Sequence, residues 1–570
     1  MEKWMIYSKK ADFNALGTRF SINPVTARII RNRDVVGEEA VCRYLHGTKK
    51  DMYSAWLMKD MRRAVEILKE KIADRKKIRV IGDYDADGVN ASCILLKGLG
   101  RCGANVDVEI PHRMLDGYGI NERLIEEAYQ AGIDTIITCD NGIAALKQTT
   151  YAKSLGMTII ITDHHEVPYE EMDGVRRYLV PEAHAVVNPK QEDCPYPYKG
   201  LCGAGVAYKL IQCLYEELGI SESETDELLQ FAAIATIGDV MELQDENRIL
   251  VKEGLKLLRK TTNPGLKALM EVNGIQPSGL NSYHIGFILA PCMNVGGRLD
   301  TAKRALELLL CEDKQQADSM AGELKALNDS RKALTIKETQ KACEMLEAAE
   351  RIDNVVVVYL PDCHESLAGI IAGKLRERYY KPVFVLTKAE DGLKGSGRSI
   401  EGYSMFEELV KCRQYLEKFG GHPMAAGLSL KEENLEAFKQ ALNENCTLTE
   451  EDYICKRWID VPMPLGYITK ELIEEFSVLE PFGRGNEKPL FAEKDIRVTG
   501  LRAIGQNGNA VKFQAEDKAG CRMEAVYFGD AAAFLSDVKE GNLISVLYYP
   551  SINEFRGMEK LQITVCGWQI

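Results

Sequence analysis

Acidic and imidazole side chains follow three apolar segments of this chain, where each segment is expected to end a β-strand. Asp85 and Asp87 follow the first segment, Asp140 follows the second, and the adjacent His164 and His165 follow the third. Carboxylate oxygens are the ligands that Mg²⁺ and Mn²⁺ prefer, and an added imidazole shifts the preference towards Mn²⁺. The three clusters therefore predict a divalent-metal site of the kind that serves phosphate chemistry.

Each cluster on its own has a simpler origin. Paired aspartates are commoner in solvated turns, Asp140 is a residue type that helix N-termini favour, and adjacent histidines are often one core and one surface side chain. Their coincidence at strand ends favours the metal site, and Asp239, after another apolar segment, adds a fourth acid. One carboxylate between two metals is the arrangement for in-line displacement at phosphorus. Neither a Walker A nor an HExxH motif is present, so a nucleotide switch or a zincin has no support.

The composition is that of an ordinary globular protein, with one property that argues against a nucleic-acid partner. The 570 residues are 45% hydrophobic and 28% charged, and we expect neither a membrane span nor export. The 16 cysteines are scattered without a CxxC pair, so we expect reduced thiols and a cytoplasmic protein. The net charge of −13 lowers the expectation of nucleic-acid binding, because phosphate contacts need basic residues, but it does not fix the sign of one cleft.

Alternating strand and helix patterns predict the elements that must position these side chains. From about residue 77, Val/Ile-rich segments alternate with helical patterns, which predicts an α/β domain with a parallel sheet covered on both faces. Ligands of such sheets bind beyond the carboxyl ends of the strands, where the acids lie. The predicted boundaries are 1–60 for an N-terminal lead-in of helix and loop, 61–310 for this domain, 311–352 for a long connecting helix, 353–455 for a second α/β domain and 456–570 for a β-barrel.

The acidic motifs resemble those of a known superfamily. The segments 82–88, 139–143 and 163–165 (GDYDADG, CDNGI and DHH) look like motifs of the DHH phosphoesterase superfamily. Further motifs are similar, in the same order, to those of the bacterial RecJ family; they span 111–121, 294–300, 363–375, 394–399, 419–428 and 479–491. The resemblance covers nearly the whole chain. It implies a DHH catalytic domain, a DHH-associated second domain and a C-terminal OB-fold β-barrel.

The resemblance also implies roles for residues of both domains. The implied metal ligands, for two Mn²⁺ or Mg²⁺ ions bridged by Asp140, are Asp85, Asp87, Asp140, His164 and Asp239. His165 is implied to support the site and to face the phosphate, and Asp163 is expected behind it. The implied substrate-phosphate contacts are Arg113, Arg298, His364, Ser396, Arg398, Gly421 and His422.

This chain departs from the family pattern at three places. Ile81 stands where superfamily members often carry a histidine metal ligand, so one metal is expected to be bound more weakly. Residues 363–366 read Cys-His-Glu-Ser where Trp-His-x-Gly is common, and Gly397 stands where alanine is usual.

The resemblance implies a 5′→3′ exonuclease that degrades single-stranded DNA to 5′-mononucleotides in DNA repair and recombination. Its expected partners are single-stranded DNA, single-strand-binding protein and a helicase, and it is expected to be a monomer away from membranes. Two alternatives stay open: a DHH phosphodiesterase acting on short oligoribonucleotides or cyclic-dinucleotide products, and a non-catalytic DNA-binding scaffold. The barrel argues against the first, because a dinucleotide needs no such platform, and the intact acids argue against the second.

Aromatic residues of the predicted barrel are of the type that stacks on bases. The candidates are Phe513, Tyr527, Phe528, Tyr548 and Phe555. Because small barrels need large side chains inside, most of them are expected in the core.

Overall fold

The structure is a computed structural model, and its first segment differs from the lead-in predicted. The described residues are 2–113, 116–172, 174–299, 301–505, 508–555 and 557–570, and the side chain of Phe555 lies outside them. The first segment contains strand β1 (Glu2–Ile6) and helices α1 (Phe13–Phe20), α2 (Pro24–Asn32) and α3 (Glu38–His46). The helix and loop pattern missed the strand, because β1 pairs in parallel with Cys455–Ile459 near the other end of the chain.

The first lobe is built on a parallel sheet, as the alternating pattern predicts. Its elements are α4 (Met61–Ala73), β2 (Lys77–Ile81), α5 (Ala86–Arg101), β3 (Asn105–Glu109), α6 (Glu122–Gln130), β4 (Thr135–Cys139), α7 (Leu146–Ser154), β5 (Thr158–Thr162), β6 (Tyr169–Met172), β7 (Val175–Tyr178) and β8 (Ala185–Val187). The five strands lie in the order β3-β2-β4-β5-β8, and β6 and β7 form a separate hairpin. Isoleucines of β4 and β5 alternate between two cores, one on each face. The carboxyl ends of β2, β4 and β5 therefore share one edge.

Helices complete the first lobe and lead out of it. They are α8 (Gly203–Leu218), α9 (Asp226–Gly238), α10 (Asp245–Leu258), α11 (Pro264–Val272), α12 (Ser282–His284), α13 (Ala290–Leu299), α14 (Lys303–Leu310) and α15 (Lys314–Glu347), with a π-helical turn at Ile285–Leu289 between α12 and α13. The 34-residue α15 is the long helix that the sequence predicts, and it packs against α11 and α13. Within the described residues, no helix combines the length and apolarity needed to cross a bilayer.

The second lobe is a mixed sheet with helices on both sides. Its elements are β9 (Val356–Tyr359), α16 (Ala368–Tyr379), β10 (Val383–Ala389), β11 (Gly392–Arg398), α17 (Met405–Lys411), β12 (Lys418–His422), β13 (Ala425–Leu430) and α18 (Leu435–Glu444). The strand order is β12-β13-β11-β10-β9, parallel only between β9 and β10. Helix α16 contacts both α15 and the sheet, so α15 connects the two lobes.

The C-terminal strands close into a barrel. The elements are β14 (Cys455–Ile459), β15 (Val461–Pro462), α19 (Lys470–Glu475), β16 (Phe491–Ile504), β17 (Ala510–Glu516), β18 (Arg522–Phe528), α20 (Ala531–Asp537), β19 (Leu543–Phe555) and β20 (Met558–Gln569). The order is β15-β16-β17-β18-β20-β19, and β16 also pairs with β19, which closes the sheet. Phe513 and Tyr548 are buried and Tyr527 stacks on Phe534, whereas Phe528 is 65% exposed.

Buried arginines join the barrel to the rest of the chain. Arg248 of α10 donates hydrogen bonds to the carbonyl oxygens of Tyr44, Val478 and Leu479. Arg33, just after α2, forms a buried ion pair of 2.7 Å with Asp460, just after β14. Removing one partner of a buried pair leaves an unpaired charge and costs about 3–5 kcal/mol. Arg33 therefore ties the N-terminal segment to the barrel, and Arg248 ties the first lobe to both.

Candidate metal centre and inter-lobe cleft

The turn from β2 into α5 positions the first pair of predicted ligands. Asp85 caps α5 and accepts hydrogen bonds from the backbone N–H groups of Asp87 and Gly88, at 2.9 and 3.1 Å. Only glycine fits at position 88, because a Cβ there would lie 2.4 Å from the carbonyl oxygen of Asp83. Asp87 is held by two N–H groups at the N-terminus of α8, those of Gly203 at 2.6 Å and Ala204 at 2.7 Å. The helix N-terminus favours the ionised carboxylate.

Asp140 and His164 meet at the carboxyl ends of β4 and β5. Asp140 Oδ1 lies 3.0 Å from His164 Nε2, which is 3.5 Å from Asp87 Oδ2 and 3.8 Å from Asp239 Oδ2. Asp140 has a left-handed backbone with φ 61°, and Gly203 must be glycine because a Cβ there would lie 2.6 Å from the Cβ of Asp140. Burial lowers the pKa of His164 to about 3, so the imidazole is neutral, which is the form that binds metals.

Three sets of ligand atoms converge at this edge of the sheet. In each set the atoms lie within 4.8 Å of one another; the sets are Asp87–His164–Asp239, Asp83–Asp85–Asp140 and Asp140–His164–His165. Asp140 and His164 each belong to two of these sets, and the 3.0 Å contact between them joins the histidine-containing sets to the set of three carboxylates. The sequence pattern did not single out Asp83, although its period of two with Asp85 and Asp87 was visible. Ile81, the position of the missing histidine, is buried in the hydrophobic core instead.

The charge balance of these acids is unfavourable without a cation. Burial, followed by the charges of Asp87 and Asp85, raises the pKa of Asp140 well above its ordinary value. Burial and the neighbouring carboxylates also raise the pKa of Asp83 and Asp85, and that of Asp239 to about 8. Asp140 Oδ1 and Asp83 Oδ1 are buried with no hydrogen-bond partner among the described residues. Oxygen-rich donors with unpaired lone pairs fit Mg²⁺ or Mn²⁺.

His165 stands beside this centre and is held from behind by Asp163. Asp163 Oδ1 lies 2.8 Å from His165 Nδ1 and accepts hydrogen bonds from the N–H groups of His164 and His165. Burial alone would lower the pKa of His165, but the hydrogen bond and charge of Asp163 raise it to about 9. The hydroxyl of Tyr118, a residue that the sequence pattern did not single out, donates to the carbonyl oxygen of Asp140 at 2.7 Å. The raised pKa of His165 favours the protonated ring, whereas the neutral ring is the form that could take part in the third ligand set.

Asp239 reaches the centre from the end of α9. The next residue, Val240, has a left-handed backbone with φ 56° and an exposed side chain. This conformation is rare for a β-branched residue, and such strain concentrates at functional sites.

Arginines for which the described residues provide no acidic partner lie next to the metal centre, between the two lobes. Arg298 Nη1 donates to the carbonyl oxygen of Ser366 at 2.8 Å and so spans the lobes. Burial, followed by the charges of Arg113 and Arg331, lowers the pKa of Arg298 to about 10, while Asp85 acts in the opposite direction. Arg113 stacks on Tyr84 at 5.1 Å.

Arg331 and Arg398 extend this group at its two ends. Arg331 of α15 was not selected from the sequence; its Nε donates to Asn328 Oδ1 at 3.1 Å. Arg398 of β11 donates to the carbonyl oxygen of its neighbour Gly397, and burial and the charges of other arginines lower its pKa. We name Arg113, Arg298, Arg331 and Arg398 the cleft arginines. Among the described residues, none of them forms an ion pair with a carboxylate.

On the sheet of the second lobe, small residues of β12, β13 and β11 lie between polar side chains. Across β12, β13 and β11, His422, Ala425 and Arg398 are in register, as are Gly420, Gly427 and Ser396. In-register side chains share one face of a sheet, so Arg398 and His422 flank Ala425. Gly421, with φ 145°, lies against the backbone of Ala425 and has no room for a Cβ.

The structure places both second-lobe departures from the family pattern and supplies a physical reason for Gly397. His364 is exposed, and its Nδ1 lies 2.8 Å from the hydroxyl of Ser366, the residue whose carbonyl binds Arg298. At position 397, alanine would not fit, because a Cβ would lie 2.6 Å from the ring of Phe384 and 2.8 Å from Met405 Sδ.

Comparisons with known proteins agree with this arrangement. Three family models match the chain: the DHH family N-terminal domain over residues 77–236, the DHHA1 domain over 353–447 and the RecJ OB domain over 459–567. The chain is 38% identical to the single-stranded-DNA-specific exonuclease RecJ of Bacillus subtilis, over 100% of this chain and 71% of that protein. It is 32% identical to the RecJ of Escherichia coli, over 95% of both. The crystal structure of Thermus thermophilus RecJ with Mn²⁺ superposes with a TM-score of 0.83 at 27% identity, covering 100% of this chain and 79% of that one.

Proposed function

This chain belongs to the RecJ family of single-stranded-DNA-specific exonucleases, and we propose that it hydrolyses single-stranded DNA from the 5′ end to 5′-mononucleotides, with two divalent metal ions, in DNA repair and recombination. One observation carries the proposal. Buried carboxylates with unpaired oxygens lie beside partly buried arginines that have no carboxylate partner among the described residues. The first group needs cations and the second needs anions, and a phosphodiester held by metal ions satisfies both.

The donor atoms define where the metal ions would be held. Asp87, His164 and Asp239 form one ligand set, and Asp83, Asp85 and Asp140 form a second. Asp140 Oδ1 lies 3.0 Å from His164 Nε2, so Asp140 is the member of the second set that we propose is shared between the two sites. Bound Mn²⁺ or Mg²⁺ would supply Lewis-acid activation of water and neutralise charge that develops at phosphorus. Superfamily members often carry a histidine ligand at the position of Ile81, and we propose that Asp83, which shares a ligand set with Asp85 and Asp140, supplies a ligand in its place.

Residues around the centre position the phosphate. Asp163 holds His165 4.0 Å from Asp140 Oδ1 and raises its pKa, which favours the protonated ring that can donate a hydrogen bond to a phosphate oxygen. Arg298 and Arg398 present planar guanidinium groups suited to bidentate phosphate contacts. Such preorganised donors stabilise charge that develops in the transition state.

The second lobe would hold the strand end. We assign Ser396, Arg398, Gly421 and His422 to the terminal phosphate, because small residues between them let a phosphate approach the backbone. His364 borders the same region through Ser366.

The partners and compartment follow from this activity. We infer that single-strand-binding protein and a helicase supply the substrate, and that the enzyme is a cytoplasmic monomer. The 16 free cysteines, most of them buried, agree with a reducing compartment.

Product analysis tests the function directly. The wild-type protein is incubated with Mn²⁺ and a 5′-labelled or a 3′-labelled single strand, and with the matching duplex. We expect the 5′ label to appear at once as a mononucleotide, the 3′ label to remain on a shortening ladder, and the duplex to be spared. Release from the 3′ end, or preference for a dinucleotide over the long strand, would contradict the proposal, and the latter result would support the small-molecule phosphodiesterase.

A further inference from the structure

An exposed pair of aromatic rings lies on the helix that leads to the metal centre. Tyr283 is 60% exposed and Phe287 is 67% exposed, yet their rings stack on each other with centroids 4.9 Å apart at 28°. Single exposed apolar residues are ordinary. A stacked pair that is more than half exposed is different, because it presents a large aromatic surface to solvent, although the Tyr283 ring also makes an edge contact with His284 at 6.0 Å between centroids. The pair lies on and beside the π-helical turn Ile285–Leu289, and such turns are frequent at functional sites.

The same helix connects this pair to the active centre. Asn294 Oδ1 accepts a hydrogen bond of 2.6 Å from the N–H of Ala86, between the ligands Asp85 and Asp87. Arg298, on the following turn, is a cleft arginine. Phe287 precedes Asn294 by two helical turns, which is about 10 Å at 1.5 Å per residue.

Side-chain exposure decreases along this helix towards the metal centre. Tyr283 and Phe287 are exposed, and Asn294 and Arg298 are half-buried, whereas Leu289 is buried. Asn294 and Arg298 are four residues apart within α13 and therefore share one face. The aromatic pair precedes them on the same unbroken helical segment, on the side of the π-helical turn that lies farther from the metal centre.

The other end of the helix is attached to the segment that leads into the barrel. The hydroxyl of Ser282 donates to the carbonyl oxygen of Phe482 at 2.5 Å. Arg484, two residues after Phe482, forms an exposed ion pair of 3.6 Å with Glu242 of the first lobe. The aromatic pair thus lies on a route from the metal centre to the barrel.

We propose that Tyr283 and Phe287 form a stacking platform for nucleobases of the single strand, between the scissile phosphate and the barrel. The inference rests on the proposed function. Aromatic rings bind every base through its π-face, so the platform adds affinity without sequence preference. It also supplies an exposed aromatic contact that the barrel core residues Phe513 and Tyr548 cannot make.

Binding of 5′-phosphorylated single strands in Ca²⁺ tests the platform. We expect the double variant Tyr283→Ala, Phe287→Ala to weaken binding of a long strand about 5- to 100-fold. The loss should be smaller for Tyr283→Phe, which keeps the ring, and the ratio of kcat/KM for a long strand to that for a trinucleotide should fall. Tyr129→Ala is the matched control, because Tyr129 is exposed on α6 at the opposite end of the sheet.

Abasic substrates separate base stacking from contacts to the sugar–phosphate backbone. Removing bases a few nucleotides from the 5′ end should weaken binding to the wild type but not weaken the double variant further. Additive losses would overturn the platform, as would variants that bind like the wild type while altering self-association. If the wild type itself failed to release 5′-mononucleotides, the proposed function would fail instead.

Discussion

Two neighbouring groups of charged side chains, the acids at the metal centre and the cleft arginines, face opposite electrostatic problems. The first-lobe edge gathers acids at the ends of buried strands, where burial and repulsion raise the pKa of Asp140 and Asp83. The opposite group gathers arginines, where burial and repulsion lower the pKa of Arg298 and Arg398. Each group is unfavourable alone, and each becomes favourable with the ligand of opposite charge. The net charge of −13 therefore describes the surface as a whole and says little about the substrate cleft.

Removing the shared carboxylate should have the largest effect. We expect Asp140→Asn to lower kcat by more than about 1000-fold, because the residue belongs to two ligand sets. Asparagine tolerates the left-handed backbone at this position, so the fold should persist. Metal titration calorimetry and turnover with Mn²⁺ measure the effect, and strand binding in Ca²⁺ should survive.

The exposed Asp74 provides the control for this variant. It caps α4 near the opposite edge of the sheet, and Asp74→Asn should turn over at the wild-type rate. Wild-type turnover by Asp140→Asn would contradict the bridging role.

The role of the cleft arginines in binding DNA can be tested by comparing two substitutions. One removes Arg331, which has no carboxylate partner among the described residues, and the other removes Arg378, which forms an ion pair. Arg331→Ala should weaken binding of a single strand about tenfold and reduce the slope of log affinity against log salt by about one. Arg378→Ala should change little, because Arg378 forms a surface ion pair of 2.6 Å with Glu347. Salt-dependent binding curves decide between them; equal effects would show that lack of an acidic partner does not mark the binding arginines.

Measuring stability against pH without metal tests how much the buried carboxylates destabilise the folded protein. The pKa of Asp239 is raised from 3.8 to about 8 in the folded protein, so the folded state binds more protons than the unfolded state between those values. Without metal, the free energy of unfolding should fall across that window, by on the order of 1–3 kcal/mol. Mn²⁺ binds the ionised form and should reverse the loss.

Urea unfolding with EDTA or with Mn²⁺, at the two ends of the window, measures this change. Asp239→Asn should flatten the slope in EDTA because its side chain no longer titrates. A slope in EDTA identical to that in saturating Mn²⁺ would mean that the acids are not coupled to the metal.

A smaller effect, on stability, is expected from a substitution at Gly397 in β11 of the second lobe. Gly397→Ala should destabilise the protein by about 1–2 kcal/mol, because its Cβ would press on Phe384 and Met405. Gly322→Ala in α15 is the matched control, since nothing lies within 4 Å of its Cβ and alanine favours a helix. Urea unfolding of both variants checks the prediction; a stable Gly397→Ala would show that the neighbouring side chains can move.

Much of the fold could be predicted because its signals are local. The Val/Ile segments and the helical patterns between them indicate the parallel sheet, and the charge-rich pattern indicates α15. Strand β1 and its packing could not be predicted this way. Its five residues form a strand because they pair with a segment near residue 455, and the local sequence does not indicate that partner. The predicted burial of barrel aromatics holds for Phe513 and Tyr548, and Phe528 is the exception.

Some residues of the candidate site could also be predicted from local sequence signals, and others could not. Selecting Asp85, Asp87, Asp140 and His164 needed only residue type and position at strand ends. Arg331 could not be selected from the sequence, because it is one of many charged residues on α15 and nothing in the local pattern indicates that it lies at the cleft.

The sequence by itself determined the family, the order of domains and which strand ends carry acids, because parallel strands in one sheet place their carboxyl ends together. Only the tertiary structure decided which acids converge, which arginines lack a carboxylate and which aromatic rings stay exposed. The physical reason is that pairing and burial depend on neighbours from distant parts of the chain. Tyr283 and Phe287 are exposed while similar rings in the barrel are buried, and nothing in their local sequence distinguishes the two outcomes.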